Sequence, residues 1–388
     1  MWLEGWLKST VAPVKSKWLF GISNNHLTWS YWKNNSNLVF NLLSLVQQPR
    51  KAMKIIKTKN SILFVVFASI FVFVASCNYN QRPKTVQELT IGIQNSPSNS
   101  LVIIAADKGF FDANKVKVTV KEFTAGKLAL QALLGQANDI EIAVSAETPI
   151  VLSTLGGNKF KVISEIVKAK NECRVVVRKD EGLDTPETYF SKSRKLTTSE
   201  GGSPEWFTYN FINNFNIDKS KVEVIAMLPE NMPIALSSKA VDAISIFDPF
   251  ARIAEKNLGD MGMTFLNTNI TSYYVMSVKE KTLSDKSEAV EELIKGLLKA
   301  EEFIKNNPEE AKQIVAAKTK LDIAILNSTW DNYTFALGLD SSLIDLCTNQ
   351  SNWAIETGKY PKGTAVPDFK QVVSFDILRK VAPATVGL

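Results

Sequence analysis

Two acids, Glu147 and Asp248, stand just after short apolar runs, where strand-to-helix loops of an α/β protein carry its functional groups. Each can recognise an amine or another hydrogen-bond donor, and each can equally be an ordinary turn or cap residue. Two glycine-bearing stretches open helical patterns: Thr124-Ala125-Gly126-Lys127 and Gly201-Gly202-Ser203-Pro204. Glycines let backbone N–H groups approach a ligand, Ser203 can cap, and Pro204 suits a first helical turn. Such helix starts favour anionic groups, although every strand–helix unit needs a cap of some kind. Trp206 and Tyr274 can stack on a ligand or serve the core. Anion-favouring helix starts combined with two acids point to a zwitterion or a polar heterocycle.

Other chemistry is excluded. The single histidine is His26, and everything beyond it lacks imidazole. That removes Ser-His-Asp and Cys-His nucleophiles, His general bases and His metal sites from the body of the chain. No catalytic residue, metal site or cofactor is expected. Cysteines are Cys77, Cys173 and Cys347. The last two read as buried free thiols, with a disulfide left open because spacing alone does not decide it.

These candidate residues need a framework, and from Leu89 onward strand and helix patterns alternate. Leu89 to Ile93 is an apolar strand, Leu101 to Lys108 a helix, and Val116 to Val120 alternates with period two. Helix Lys127–Leu134, strand Ile140–Val144 and helix Pro149–Leu155 follow, then strands Lys161–Val167 and Arg174–Val177. A second unit reads strand Lys195–Thr198, helix Pro204–Phe215, strand Val222–Ala226, helix Met232–Ser237, strand Ala243–Phe247 and helix Phe250–Lys256. Ser272 to Val278 reads as a returning strand and Glu288 to Lys305 as a long amphipathic helix. Another helix begins at Pro308, and helices dominate from there to the end. Such alternation predicts α/β architecture with mostly parallel sheets covered on both faces. The loops after the strands run Gln94 to Ser100, Thr124 to Lys127, Ser145 to Thr148, Ser199 to Ser203 and Phe247 to Pro249. Ligand contacts are therefore expected from Gln94, Ser98, Thr124, Gly126, Lys127, Glu147, Thr148, Gly201, Gly202, Ser203, Trp206, Asp248 and Tyr274.

The N-terminal part has a different logic. Lys54, Lys57 and Lys59 precede an apolar run from Ser61 to Phe73, and Val74-Ala75-Ser76-Cys77 follows. This is the order of a secretory signal, and its end resembles the bacterial lipoprotein box, which implies a lipidated Cys77. The run is short for a permanent span. Residues 53–76 are read as the signal and 77–88 as a polar tether. Residues 1–52, rich in Trp and Asn, are read as an over-extended start or an unstructured extension. The chain's net charge is +6, but residues 1–76 hold nine of its 45 basic and one of its 39 acidic residues. From Cys77 onward 36 basic face 38 acidic residues, so the charge gives no argument for a nucleic-acid partner.

Read together, several segments resemble the type II periplasmic-binding-protein group that serves alkanesulfonates, taurine, nitrate and thiamine-pyrimidine-like compounds. They are Ile91-Gly92-Ile93-Gln94, Lys108-Gly109-Phe110-Phe111, Phe123 to Lys127, Asp139-Ile140 with Ala146 to Pro149, Glu200 to Pro204, Asp242-Ala243-Ile244 with Phe247 to Phe250, and Ala300 to Ile304 with Asn307 to Ala311. The chain departs from the group at Phe247-Asp248-Pro249, where an aromatic-Glu-Pro is usual. The resemblance spans about Leu89 to Glu356. It implies two α/β lobes joined by two crossovers, with the ligand between them: residues 89–177 and 272–388 in one lobe, 178–271 in the other. It further implies a monomeric solute-binding protein outside the cytoplasmic membrane, anchored through Cys77, that delivers a small molecule to an ABC permease and its ATPase. A ligand sensor or surface lipoprotein of the same fold is the alternative. A pyrimidine-synthesising enzyme of that fold is less favoured, because its chemistry consumes a protein histidine.

Overall fold

The computed structural model describes residues 86–114, 116–137, 139–267 and 270–387; the signal segment, Cys77 and most of the tether lie outside them. The described chain forms two α/β lobes, each with its own hydrophobic core.

The first lobe opens with β1 (Gln87–Gln94), α1 (Ser100–Asp107), β2 (Val116–Phe123), α2 (Gly126–Leu134), β3 (Ile142–Ala146), α3 (Glu147–Leu155) and β4 (Lys161–Lys170). β3 and the second half of β1 are buried because both faces are covered, whereas β2 is an edge strand and from Val116 to Val120 alternates buried or half-buried with exposed residues. After two residues, Asn171 and Glu172, the chain enters the second lobe. That lobe comprises β5 (Cys173–Arg178), α4 (Pro186–Tyr189), β6 (Arg194–Thr198), α5 (Ser203–Asn214), β7 (Val222–Ala226), α6 (Met232–Ser237), β8 (Ala243–Phe247), α7 (Phe250–Leu258) and β9 (Gly262–Phe265). β10 (Thr271–Val278) returns to the first lobe. There follow α8 (Glu280–Asp285), α9 (Ser287–Asn306), α10 (Pro308–Thr319), α11 (Ile323–Thr329), β11 (Tyr333–Asp340), α12 (Ser341–Glu356), α13 (Asp376–Val381) and the short β12 (Val386–Gly387).

The first sheet has the order β12-β11-β4-β10-β3-β1-β2 and the second β7-β6-β8-β5-β9. Both are mixed, not mostly parallel. Parallel trios, β3-β1-β2 and β7-β6-β8, form where strand–helix–strand units wind in sequence. Antiparallel pairs form where the chain crosses between lobes: β10 runs against β3 and β4, and β5 against β8 and β9.

Two further details differ from the sequence reading. The boundary drawn at Val177 assigns β5 to the first lobe, yet Cys173 to Val177 pair with Phe247 to Ala243 in the second sheet. An apolar run such as Val175-Val176-Val177, fully buried on both faces, gives no sign of which sheet will take it. The final third also contains β11, which pairs with β4. Its alternation of Tyr333, Leu337 and Leu339 inward with Thr334 outward is a period-two signal lying among helices.

The longest helix, α9, buries Val290, Leu293, Ile294, Leu297, Ala300 and Ile304 in the first core. Their spacing of three and four makes one apolar stripe. Each fully buried Leu or Ile there contributes about 1.5–3 kcal/mol relative to exposure, which holds the first sheet rigid beneath its loops.

Candidate functional site

The two lobes meet at a cavity beyond the carboxyl ends of β1, β3, β6 and β8. The first lobe contributes Gln94 after β1, Gly126 and Lys127 at the start of α2, Ala146 and Pro149 around the start of α3, and Tyr274 of β10. The second contributes Ser199 after β6, Gly202 and Ser203 at the start of α5, and Phe247 at the end of β8. The free volume is about 20 Å³, enough for about one water molecule. The lobes are thus shut on each other, and a larger molecule enters only if they separate.

Three helices, α2, α3 and α5, begin here without a side-chain cap. Part of that first-turn donor set is already used or missing, since Leu128 N and Glu205 N bond the Ala125 and Gly202 carbonyls and Pro149 and Pro204 have no N–H; the helix dipoles still add positive potential. Gly126 N donates to Gln94 Oε1 at 3.3 Å, which fixes the Gln94 amide at the cavity. Gly126 itself is forced by packing: a Cβ there would lie 3.0 Å from Ser145 Cα and 3.2 Å from the Val144 carbonyl oxygen. Ser203, expected to cap α5, is instead its first residue; Gly202 occupies the cap position.

Lys127 bridges the lobes. Its Nζ donates to Ser199 Oγ at 3.3 Å and to the Glu200 carbonyl oxygen at 2.5 Å. Burial lowers its pKa, opposed by Glu200, Glu205 and Glu230.

The two acids are placed elsewhere. Glu147, 1% exposed, accepts from Tyr273 N at 2.8 Å and from Gln350 Nε2 at 3.0 Å. Burial pushes its pKa up, and these hydrogen bonds oppose the rise. Asp248 accepts from Arg174 Nη2 at 2.6 Å. Burial pushes it up to about 6, with Arg174 and Arg252 pulling the other way. Neither acid is among the residues lining the cavity. A buried carboxylate requires partners of its own: Glu147 uses both oxygens within the protein, whereas Asp248 uses Oδ2 and its Oδ1 has no hydrogen-bond partner among the described residues. The zwitterion argument resting on them loses its support.

Of the remaining expected contacts, Trp206 stacks on Tyr209 at 6.0 Å and meets Trp353 of α12 edge-on at 5.4 Å. It therefore packs one lobe against the other. Ser98 is buried and its Oγ lies 2.7 Å from Ser96 Oγ. Thr148 is buried in the first turn of α3, Thr124 is exposed, and Gly201 lines a neighbouring depression with Lys127, Glu200 and Tyr360.

Sequence reasoning missed a cluster in the crossovers beside the cavity. Glu172, 2% exposed, accepts from the Tyr274 hydroxyl with both oxygens at 2.8 Å. Burial pushes Glu172 up to about 8, while the Tyr274 bond lowers it and Asp248 and Glu147 raise it further. Arg174, 2% exposed, also donates to the Asn171 carbonyl oxygen at 2.8 Å. The local sign was Glu172 just before β5 and Arg174 within it, charges flanking the apolar Val175-Val176-Val177. Cys173 and Cys347 are free and buried.

Comparison with known proteins agrees with this fold. A protein of Bacillus subtilis (strain 168) named for binding aliphatic sulfonates is 23% identical over 278 residues, which are 69% of this chain and 81% of the relative. Among solved structures, the alkanesulfonate-binding protein SsuA of Xanthomonas axonopodis pv. citri superposes with a TM-score of 0.64 at 16% identity, covering 74% of this chain and 98% of that one. The periplasmic nitrate-binding protein NrtA of Synechocystis PCC 6803 gives 0.60 at 16% identity, over 77% and 89%. At those identities the structures establish a shared fold. Matched from residue 82 to residue 319, the chain belongs to the NMT1-like family.

Proposed function

We propose that this chain is an extracytoplasmic solute-binding protein that closes around a small anionic molecule, a sulfonate or nitrate among the classes its relatives are named for, and delivers it to an ABC permease and its ATPase. The observation that carries this reading is the convergence of three uncapped helix starts and Lys127, drawn from two lobes, on one cavity between them. Helix-start dipoles and a lysine brought to one cavity suit an anion. A ligand touching both lobes stabilises the closed form by its differential affinity for it. Release then requires reopening, the step a permease would promote. Lipidation at Cys77 would keep the protein beside that permease as a monomer. The body of the chain lacks histidine and its cavity-side acids are structurally engaged, so binding is favoured over catalysis.

Thermal unfolding of the full chain against taurine, alkanesulfonates, nitrate, bicarbonate and pyrimidine precursors tests the reading. A ligand at about 1,000 times its dissociation constant adds about 4 kcal/mol, a shift of several degrees. No shift with any of the anions, in a protein that unfolds cooperatively, overturns it. The anchor is tested separately: Cys77→Ser should release the protein from membranes into the soluble fraction.

A further inference from the structure

Tyr274 lines the cavity, and its hydroxyl is tied to a carboxyl group buried behind it. A phenol has one proton to donate and lone pairs that accept. When Glu172 is ionised it can only accept, so the Tyr274 proton is committed to it and the phenol oxygen can offer a ligand nothing but an acceptor. When Glu172 is protonated its own O–H can donate to the phenol oxygen, and the Tyr274 proton becomes free to point at a ligand. The 2.8 Å separation fits both arrangements.

We propose that Glu172 is a positioning residue whose proton decides whether Tyr274 presents a hydrogen-bond donor or an acceptor to the ligand. The inference rests on the cavity being the ligand site.

The surroundings of Glu172 make the switch accessible. The charged and titratable groups packed around it are Tyr274 of β10, Asp248 beyond β8, Arg174 and Cys173 of β5, Glu147 of α3 and Tyr333 of β11. Two of them are acids that disfavour a further negative charge. The one buried cation, Arg174, is engaged by Asp248 and the Asn171 carbonyl. Burial with these neighbours pushes Glu172 up to about 8, so both protonation states are reachable near neutral pH. An anion needs the donor form of Tyr274 and is repelled by an ionised carboxylate next to it. Anion binding is therefore linked to one proton on Glu172.

The test is titration calorimetry of methanesulfonate into the full chain from about pH 6 to about pH 9.5. Affinity should be flat at the acid end and fall about tenfold per pH unit above about 8. Repeating the titration in buffers of different ionisation enthalpy should reveal proton uptake there. Glu172→Gln supplies an amide N–H donor at every pH and should lose both the slope and the uptake. Tyr274→Phe removes the phenol donor and should weaken binding at low pH. A slope unchanged in Glu172→Gln overturns the proposal. Infrared difference spectroscopy provides a ligand-free arm. A protonated carboxyl band should titrate near pH 8 in the parent and be missing from Glu172→Gln; its absence from the parent overturns the proposal. Failure of methanesulfonate and other anions to bind the parent at any pH counts against the ligand reading, and the infrared result separates that outcome from failure of the switch.

Discussion

Replacing Arg174 by Met should be among the most damaging single changes in the second lobe. The guanidinium is 2% exposed and donates to Asp248 at 2.6 Å and to the Asn171 carbonyl oxygen at 2.8 Å. It also lies 3.6 Å from Glu255. With it gone, the cation left beside Asp248 is Arg252, whose Nε lies 4.0 Å away. Methionine fills most of the volume, so the loss is electrostatic rather than a cavity. Breaking a buried pair by removing one partner costs about 3–5 kcal/mol, chiefly because the other charge is left buried and uncompensated. Asp248 already titrates at about 6 with Arg174 in place. Without Arg174 it rises further, and protonation caps the penalty. The destabilisation should therefore be largest near pH 8 and shrink toward pH 5. Urea unfolding followed by circular dichroism at the two pH values measures it. Arg174→Met/Asp248→Asn should recover most of the loss at about pH 8, because the neutral amide needs no cation. If Arg174→Met stays within about 1 kcal/mol of the parent at alkaline pH, or if the double variant is as unstable as the single one, the electrostatic reasoning is wrong.

Three further outcomes follow from the same geometry. Lys127→Met removes a charge-assisted contact between the lobes and should weaken anion binding about tenfold to a hundredfold, read by calorimetry; unchanged affinity would place the ligand elsewhere. Gly126→Ala sets a methyl against the backbone of Ser145 and Val144, at 3.0 and 3.2 Å, and should cost about 1–3 kcal/mol in urea unfolding, a loss that is absent if α2 can slide away from β3. Glu172 holds its proton more tightly folded than unfolded, at about 8 against an ordinary 4.5. Its contribution is thus complete below about 4.5 and lost as pH rises through about 8, on the order of 5 kcal/mol at most. Unfolding free energy should fall across that window, and Glu172→Gln should flatten the fall.

The lobes and most of their elements were legible because local patterns decide them. β2 shows its edge position in its alternation, and α9 shows its buried face in a spacing of three and four. What local pattern does not carry is which distant strand completes a sheet. The apolar run Val175-Val176-Val177 of β5 would suit either sheet, and its membership of the second depends on partners more than sixty residues away. β11 hid for a related reason: a short strand among helices is stabilised by β4, about 170 residues earlier. Of the expected contacts, Gly126, Gly202 and Lys127 do line the candidate cavity, and at Gly126 the residue type is forced by close approach. It was misread at Glu147 and Asp248. A carboxylate at a strand end looks the same whether it faces a ligand or an internal partner, and only the fold shows Arg174, Gln350 and the Tyr273 N–H waiting for them. Glu172 went unremarked because its significance lies in Tyr274, 102 positions away.

The most direct test of the central claim is calorimetric titration of the full chain with taurine, methanesulfonate, ethanesulfonate and nitrate, each repeated on Lys127→Met. The account predicts that at least one of these anions binds the parent at one site per chain, in the micromolar range or tighter, and that Lys127→Met weakens it. A folded parent that takes up none of them, or a ligand indifferent to Lys127, would contradict it.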